Sequence, residues 1–392
     1  MQLIALKTKC LYNYYNDADE NVNLCFMKKR CLMKALLLGD VCPMETTNPL
    51  FEKGDIETLF TDTLDLFHGN DINFVNLECA LTDHDVPIKK FGPNLAATPK
   101  TAEVLKKIGV NYCGLSNNHI FDFGIRGALD SMEALDRAGI TYTGFGKNYE
   151  GSRKNLIVEK DGEKVCLIAV CEHEYSYALE DRMGSRPFDE FDTLEDIRKA
   201  KAECDRVIVL YHGGKEFCTY PSPRLLRCCR AMVRSGADLV LCQHTHCIGC
   251  YESYQGGHIL YGQGNFHFHM KNMPEIWDSL LAVRYDTKTN EIDFTPIVNE
   301  GNGITLAKGA EKEKIMSGFA ARNEDLQKGQ WKAGWHAFCE SAKENYYLAI
   351  KGACNEDSTE WHNALFGHYL DCEAHTDVWR ELFPTYNYTN EK

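Results

Sequence analysis

The chain reads as a layered α/β protein with a helical C-terminal extension. Three observations predict this. Short apolar runs alternate with helical patterns from residue 34 to about 298, glycines stand where the helices end, and the character changes after Gly303. The apolar runs predict strands at 34–38, 72–77, 110–115, 165–170, 206–211, 237–242 and 258–261; each is short and nearly continuous, as strands buried on both faces are. Residues 101–108, 127–138 and 224–235 carry apolar side chains at helical spacing, with Gly109, Gly139 and Gly236 at C-cap positions. Segments 280–285 and 291–297 flank Lys288-Thr289-Asn290 as a hairpin, so the sheet is expected to turn mixed or antiparallel there. Beyond it, 311–323 and 335–353 read as amphipathic helices with Trp331, Trp335, Trp361 and Trp379 as apolar anchors. The expected organisation is an N-terminal arm over 1–32, a core over 33–303 and a helical region over 304–392. Met33, at the door of the first strand, reads as a natural start.

Of the 392 residues, 44% are hydrophobic, enough for a full core. With 57 acidic against 43 basic residues the formal net charge is -14, which argues against a broad nucleic-acid footprint or an anionic membrane surface but leaves room for a local cationic pocket. The 18 cysteines are scattered through apolar segments such as Val165-Cys166-Leu167 and Leu241-Cys242, where a reduced thiol packs as a small hydrophobe. That pattern predicts a reducing, cytoplasmic setting. No run approaches the ~18 apolar residues of a membrane span, and the first residues lack the apolar stretch of a signal peptide.

Chemistry is concentrated at strand ends, where open α/β sheets gather their ligand sites. Asp40 follows Leu36-Leu37-Leu38-Gly39, Asn76 and Glu78 close Phe74-Val75-Asn76-Leu77-Glu78, and Asn117-Asn118-His119 follows Leu115-Ser116. His212 follows Val209-Leu210-Tyr211, and His244-Thr245-His246 follows Val240-Leu241-Cys242-Gln243. Carboxylate, amide oxygen and imidazole together suit Mn, Zn or Fe, and a shared carboxylate can bridge two ions about 3.5–4 Å apart. A dinuclear divalent-metal site that activates water for hydrolysis or transfer is the expectation.

Other polar features weigh less. Cys247-Ile248-Gly249-Cys250 has redox or zinc spacing but no second pair, so packed thiols are expected. His267-Phe268-His269 reads as a loop rim near the site. Glu172 and His173 end another strand, with a structural reading favoured. Lys89 and Lys90 before Phe91-Gly92-Pro93-Asn94 suit either an anionic substrate or solvent; Glu216 is a pocket candidate, and Arg224 is expected in the first turns of its helix.

The ordered motifs Gly39-Asp40, Asn76-Leu77-Glu78, Asn117-Asn118-His119-Ile120-Phe121-Asp122-Phe123-Gly124, His212-Gly213-Gly214-Lys215-Glu216, Gly236-Ala237-Asp238, His244-Thr245-His246 and Tyr261-Gly262-Gln263-Gly264-Asn265-Phe266 make the chain resemble the CapA-type capsule (polyglutamate) synthesis proteins over residues 33–298. The resemblance implies a calcineurin-like metallophosphatase core, a four-layer α/β/β/α sandwich, and a link to polyglutamate or other capsule polymers. Carried over residue by residue, it implies Asp40, Glu78, Asn118, His212, His244 and His246 as ligands of two divalent ions, Glu78 bridging. His119 would be the acid, oriented by Asp122, with Asn76, Asn117, Lys90 and Glu216 on the substrate side. The pattern departs at Cys42, where phosphoesterases of this fold carry a histidine. The expected function is a metal-dependent hydrolase of phosphoester or amide bonds, acting on an anionic polymer or a phosphorylated small molecule, in contact with capsule synthesis machinery. The alternatives are a non-enzymatic assembly factor on the same fold and a cytoplasmic nucleotide or phosphosugar phosphodiesterase.

Overall fold

The computed structural model describes residues 33–172 and 174–384; the expected arm over 1–32 and His173 lie outside the described residues. Two large mixed sheets dominate. In the first, Lys34–Val41, Ile72–Leu77, Tyr112–Gly114 and Thr141–Thr143 run parallel, and Ser279–Asp286 joins the free side of Lys34–Val41 antiparallel, followed by Glu291–Glu300 and Gly303–Leu306. The expected hairpin thus sits on this sheet, and the sheet continues through Leu306, just past the expected boundary at 303. The second sheet has a parallel centre of Glu163–Cys171, Arg206–His212, Leu239–Gln243 and Gly257–Leu260, with antiparallel edges Leu156–Lys160 and Tyr251–Tyr254.

Alternation along the strands explains why both faces are apolar. Ala35, Leu37, Phe74 and Val283 of the first sheet share one buried cluster with Leu167, Ile208, Leu210 and Leu241 of the second. Their neighbours Leu36, Leu38, Val75 and Leu77 point the other way, onto Phe51, Leu59, Leu105 and Leu135 of outer helices. On the second sheet Ile168, Val170, Val209 and Tyr211 face Ile197, Leu225 and Met232, and also Trp335, Tyr346 and Val378 of the C-terminal helices. Those helices, Trp331–Ala353, Glu360–Asp371 and Glu373–Leu382, therefore pack on the core with Trp335 only 1% exposed. The glycines expected to end helices do so at Gly139 and Gly236, both left-handed, after Gly124–Ala138 and Pro223–Ser235. Among the described residues no helix is long and apolar enough to cross a membrane.

Candidate metal centre

The carboxyl ends of strands from both sheets meet at one buried cluster. Asp40 reaches it through an irregularity in the pairing of Lys34–Val41 with Ile72–Leu77 between Leu37 and Asp40, the kind of local disruption that re-aims a side chain. Gly39 is needed there, because a Cβ would run into the carbonyl oxygen of Gly264. Glu78 follows the second strand, its N–H donating to Val41 O at 2.9 Å. His212 ends Arg206–His212, and His244 and His246 follow Leu239–Gln243 in left-handed backbone, φ 78° and 53°. Non-glycine residues adopt that region rarely, and when they do it is often at functional sites.

Around Glu78 Oε1 stand His212 Nε2 at 3.4 Å, His246 Nε2 at 3.7 Å and His244 Nδ1 at 4.0 Å. These gaps are too long for good hydrogen bonds. The shortest matches donors sharing an ion, since two atoms each bonded at about 2.1 Å to a tetrahedral centre stand roughly 3.4 Å apart, and the longer two stay within the roughly 4.2 Å that two such bonds can span. Glu78 is fully buried, and neither carboxylate oxygen has a hydrogen-bond partner among the described residues. Ligand atoms of Glu78, His244 and His246 lie within 4.8 Å of one another, as do those of Asp40, Glu78 and His212. These groups could hold a metal, with Glu78 common to both. Asn118 Oδ1, 2.8 Å from His212 Nε2, adds an amide oxygen beside the second group.

The electrostatics of the cluster suit a cation. Burial pushes the Asp40 carboxyl up, against the pull of His246 and of bonds from Asn76 and His244. Burial, and then the nearby Asp40, drive Glu78 well above the carboxylate range. Two acids sharing a dry site cannot both ionise cheaply, and a divalent ion reverses that logic.

Beside this cluster, His119 Nδ1 lies 2.7 Å from Asp122 Oδ2, and Lys90 Nζ lies 2.5 Å from Asp122 Oδ1 and 3.2 Å from His119 Nδ1. Asp122 also accepts from Leu95 N–H at 2.7 Å. Burial and then Lys90 lower the proton affinity of His119, with Asp122 opposing them.

Around the cluster His267 departs from expectation, and other side chains are held by protein partners. The amides of Asn76 and Asn117 are taken up by neighbouring groups. Asn76 Nδ2 donates to Asp40 at 2.7 Å, and Asn117 Nδ2 donates to Leu77 O at 2.8 Å while its oxygen accepts from the N–H groups of His119 and Ile120. Lys90 is not solvated: its side chain is 2% exposed and paired with Asp122. Glu216, partly exposed and 3.3 Å from Lys215 Nζ, remains toward the solvent side. His267 is not a loop rim, since it sits in a short strand beside Lys34–Val41 and packs among Phe51 and Phe60. Cys42 is buried near Cys79, and burial and that neighbour push its thiol up, so it packs as a neutral group, with Met44 Sδ 3.5 Å away. Cys247 and Cys250 are likewise buried thiols.

Sequence reasoning missed Asn265 and Trp277. Asn265 Oδ1 meets His246 Nδ1 at 2.8 Å, and the Trp277 ring lies 4.2 Å from that imidazole. An outer partner of this kind fixes the direction of a ligand histidine. Asn265 was visible within Gly264-Asn265-Phe266; nothing in the sequence marks Trp277.

Residues 34–270 match the model of the family described as bacterial capsule synthesis protein PGA_cap. The chain belongs to this family. It is similar to the capsule biosynthesis protein CapA of Bacillus anthracis, 28% identical over 245 residues that cover 60% of this chain and 59% of that one. The PGA biosynthesis protein CapA of Bacillus subtilis (strain 168) is 25% identical over 311 residues, 75% of this chain and 81% of the relative. Among solved structures, the protein TT1561 of Thermus thermophilus is a distant likeness, with TM-score 0.36 and 9% identity over 67% of this chain and 98% of that one. The C-terminal helices fall outside the family match.

Proposed function

We propose that this family member is a metal-dependent hydrolase of the calcineurin-like phosphoesterase type, working on phosphoester or amide bonds in capsule polymer (poly-γ-glutamate or related) metabolism. The polymer link comes from the names of the relatives. The observation that carries the hydrolase reading is Glu78, a buried carboxylate without hydrogen bonds, ringed by three imidazoles at metal-sharing distances. The three apolar clusters, one between the sheets and one on each outer face, support an α/β/β/α layering.

In this reading Asp40, Glu78, Asn118, His212, His244 and His246 hold two divalent ions, Mn, Zn or Fe. Such a pair supplies Lewis acidity and a bound water acidified to near neutrality. Asp122 holds His119 at Nδ1, so Nε2 is the atom that carries a proton to the leaving oxygen. Lys90 fixes Asp122 and keeps the proton on His119 easy to release. The partly exposed Glu216 is assigned to the substrate side of the centre, toward an anionic polymer or phosphorylated small molecule. The buried free thiols of Cys113, Cys229 and Cys250 support a reducing, cytoplasmic setting.

The test is element-specific metal analysis of protein purified without chelator, joined to turnover of aryl phosphate mono- and diesters and γ-glutamyl amides. Two ions per chain and turnover lost on chelation are expected. A chain that takes up no divalent ion and turns over nothing, yet binds polymer or a synthase, would replace the hydrolase with an assembly factor.

A further inference from the structure

The last helix lies outside the family match, yet it is wired to the turn that carries His212. Glu172, just after the strand Glu163–Cys171, is 1% exposed. Its N–H donates to His212 O at 3.1 Å, and its carboxylate accepts from Gly214 N–H and from the Tyr211 hydroxyl. A Cβ at Gly213 would run into the Glu172 side chain, so the turn 212–214 is moulded directly on this carboxylate. Arg224 Nη2 donates to Glu172 Oε2 at 2.7 Å, while Arg224 Nε reaches Asp377 Oδ1 and Oδ2 at 3.1 and 3.0 Å. Asp377, on Glu373–Leu382, also accepts from Ser222 Oγ at 2.6 Å.

Arg224, Glu172 and Asp377 are all buried. A guanidinium in such a place keeps its plane only while its donors are matched, and losing one partner leaves an uncompensated buried charge. With Asp377 gone, Arg224 Nε is left with the half-exposed Glu373, whose Oε2 is 3.5 Å away, and the guanidinium that directs Glu172 against Gly214 loses its buried anchor. We propose that Asp377 is a positioning residue for the metal centre: acting through Arg224 and Glu172, it holds the turn 212–214 and so aims the His212 imidazole. The proposal rests on the reading of His212 as a ligand, and it makes the C-terminal helices part of the site's support.

The full chain decides it through Asp377→Ala, with Leu382→Ala as a control that loosens the same helix in the same core cluster without a polar link to Glu172. Hydrogen exchange of segment 211–216 is measured in chelator-treated protein, and Co²⁺ affinity by visible absorption. Asp377→Ala should speed exchange in that segment and weaken Co²⁺ by about 10–100-fold, as loss of an outer support does. Leu382→Ala should lower the melting temperature and leave both at wild-type values. Wild-type exchange and affinity in a folded Asp377→Ala, or equal losses in Leu382→Ala, overturn the proposal. If Asp377→Ala does not fold, Arg224→Lys, which keeps the charge but loses the fork, must produce the same two losses, and wild-type values there overturn it. Should the wild type itself bind no Co²⁺ while Asp377→Ala still loosens 211–216, the metal reading falls and the hold on the turn stands.

Discussion

Replacing Glu78 with Gln should make the metal-free protein more stable while destroying its metal site. The carboxylate is fully buried, and burial and Asp40 push it well above its ordinary value of 4.5. A carboxylate with a raised folded-state pKa costs nothing below its unfolded value, and the cost grows as pH climbs above 4.5 until the folded group itself gives up its proton. At about 1.4 kcal/mol per pH unit, the ceiling at pH 7 is about 3.5 kcal/mol, for the 2.5 units separating pH 7 from 4.5. At pH 5.5 the ceiling is about 1.4 kcal/mol. The neutral amide escapes this cost. Urea midpoints of chelator-treated wild type and Glu78→Gln, at pH 7 and 5.5, should therefore differ by about 1–3 kcal/mol in favour of the variant at the higher pH and by less at the lower. Metal analysis of the same preparations should find the variant empty, since an amide is a poor bridge between cations. A variant less stable than wild type without metal at pH 7, or one that keeps its full metal content, refutes the reasoning.

His244→Ala removes an imidazole 4.0 Å from Glu78, so bound metal and turnover should fall together, read by metal analysis and ester hydrolysis. His119→Ala should spare the metal and slow esters of poor leaving groups by about 10²–10⁴-fold, with activated esters slowed less; loss of metal would make His119 a ligand instead. His267, pushed down to about 3 by burial, stays neutral in the fold while the unfolded chain protonates near 6.5, so stability should fall as pH drops through 6.5 towards 3. His267→Leu should lose about 2 kcal/mol less than wild type between pH 7 and 5, by urea midpoints at the two values.

The strands were legible where they are buried on both faces: Ile72–Leu77 lies where 72–77 was expected, and Arg206–His212 extends 206–211 by His212. An apolar run has one meaning when both sides of it are core. Short edge elements were not legible, because Leu156–Lys160 is half exposed and Glu360–Asp371 buries only Leu365 fully, which leaves too weak a period to read. At the site, polar residues at strand ends marked the place but not each residue's direction. Asn76 and Asn117 look the same in sequence whether an amide meets a ligand or a neighbour, and only three-dimensional register gives theirs to Asp40 and Leu77. Lys90 reads equally as a contact for an anionic substrate or a solvated lysine until Asp122 is found 2.5 Å away from a sequence distance of 32 residues. Asp377 carried no signal at all, since a helix acid is ordinarily solvated.

The same contrast argues for function. Elsewhere in the core, buried charges are answered: Arg186 meets Asp196 at 2.7 Å, and Arg224 meets Asp377 and Glu172. At the strand ends the pattern differs, with two acids pushed up by burial, Glu78 further by Asp40, and left-handed backbone at His244 and His246. Left-handed non-glycine residues cost of order 1–3 kcal/mol each and persist where surroundings over-determine them. A fold of marginal stability keeps such a cluster only if something that binds the native state offsets it. On the proposed reading, a divalent cation among Glu78, His212, His244 and His246 would neutralise the acids and give the strained histidines their use. Wild-type stability should therefore rise with Zn²⁺ or Mn²⁺ in proportion to the logarithm of free ion, as binding to the native state alone requires. Glu78→Gln, already relieved of the acid's cost, should lose that dependence, and the two proteins should exchange order of stability as metal is added.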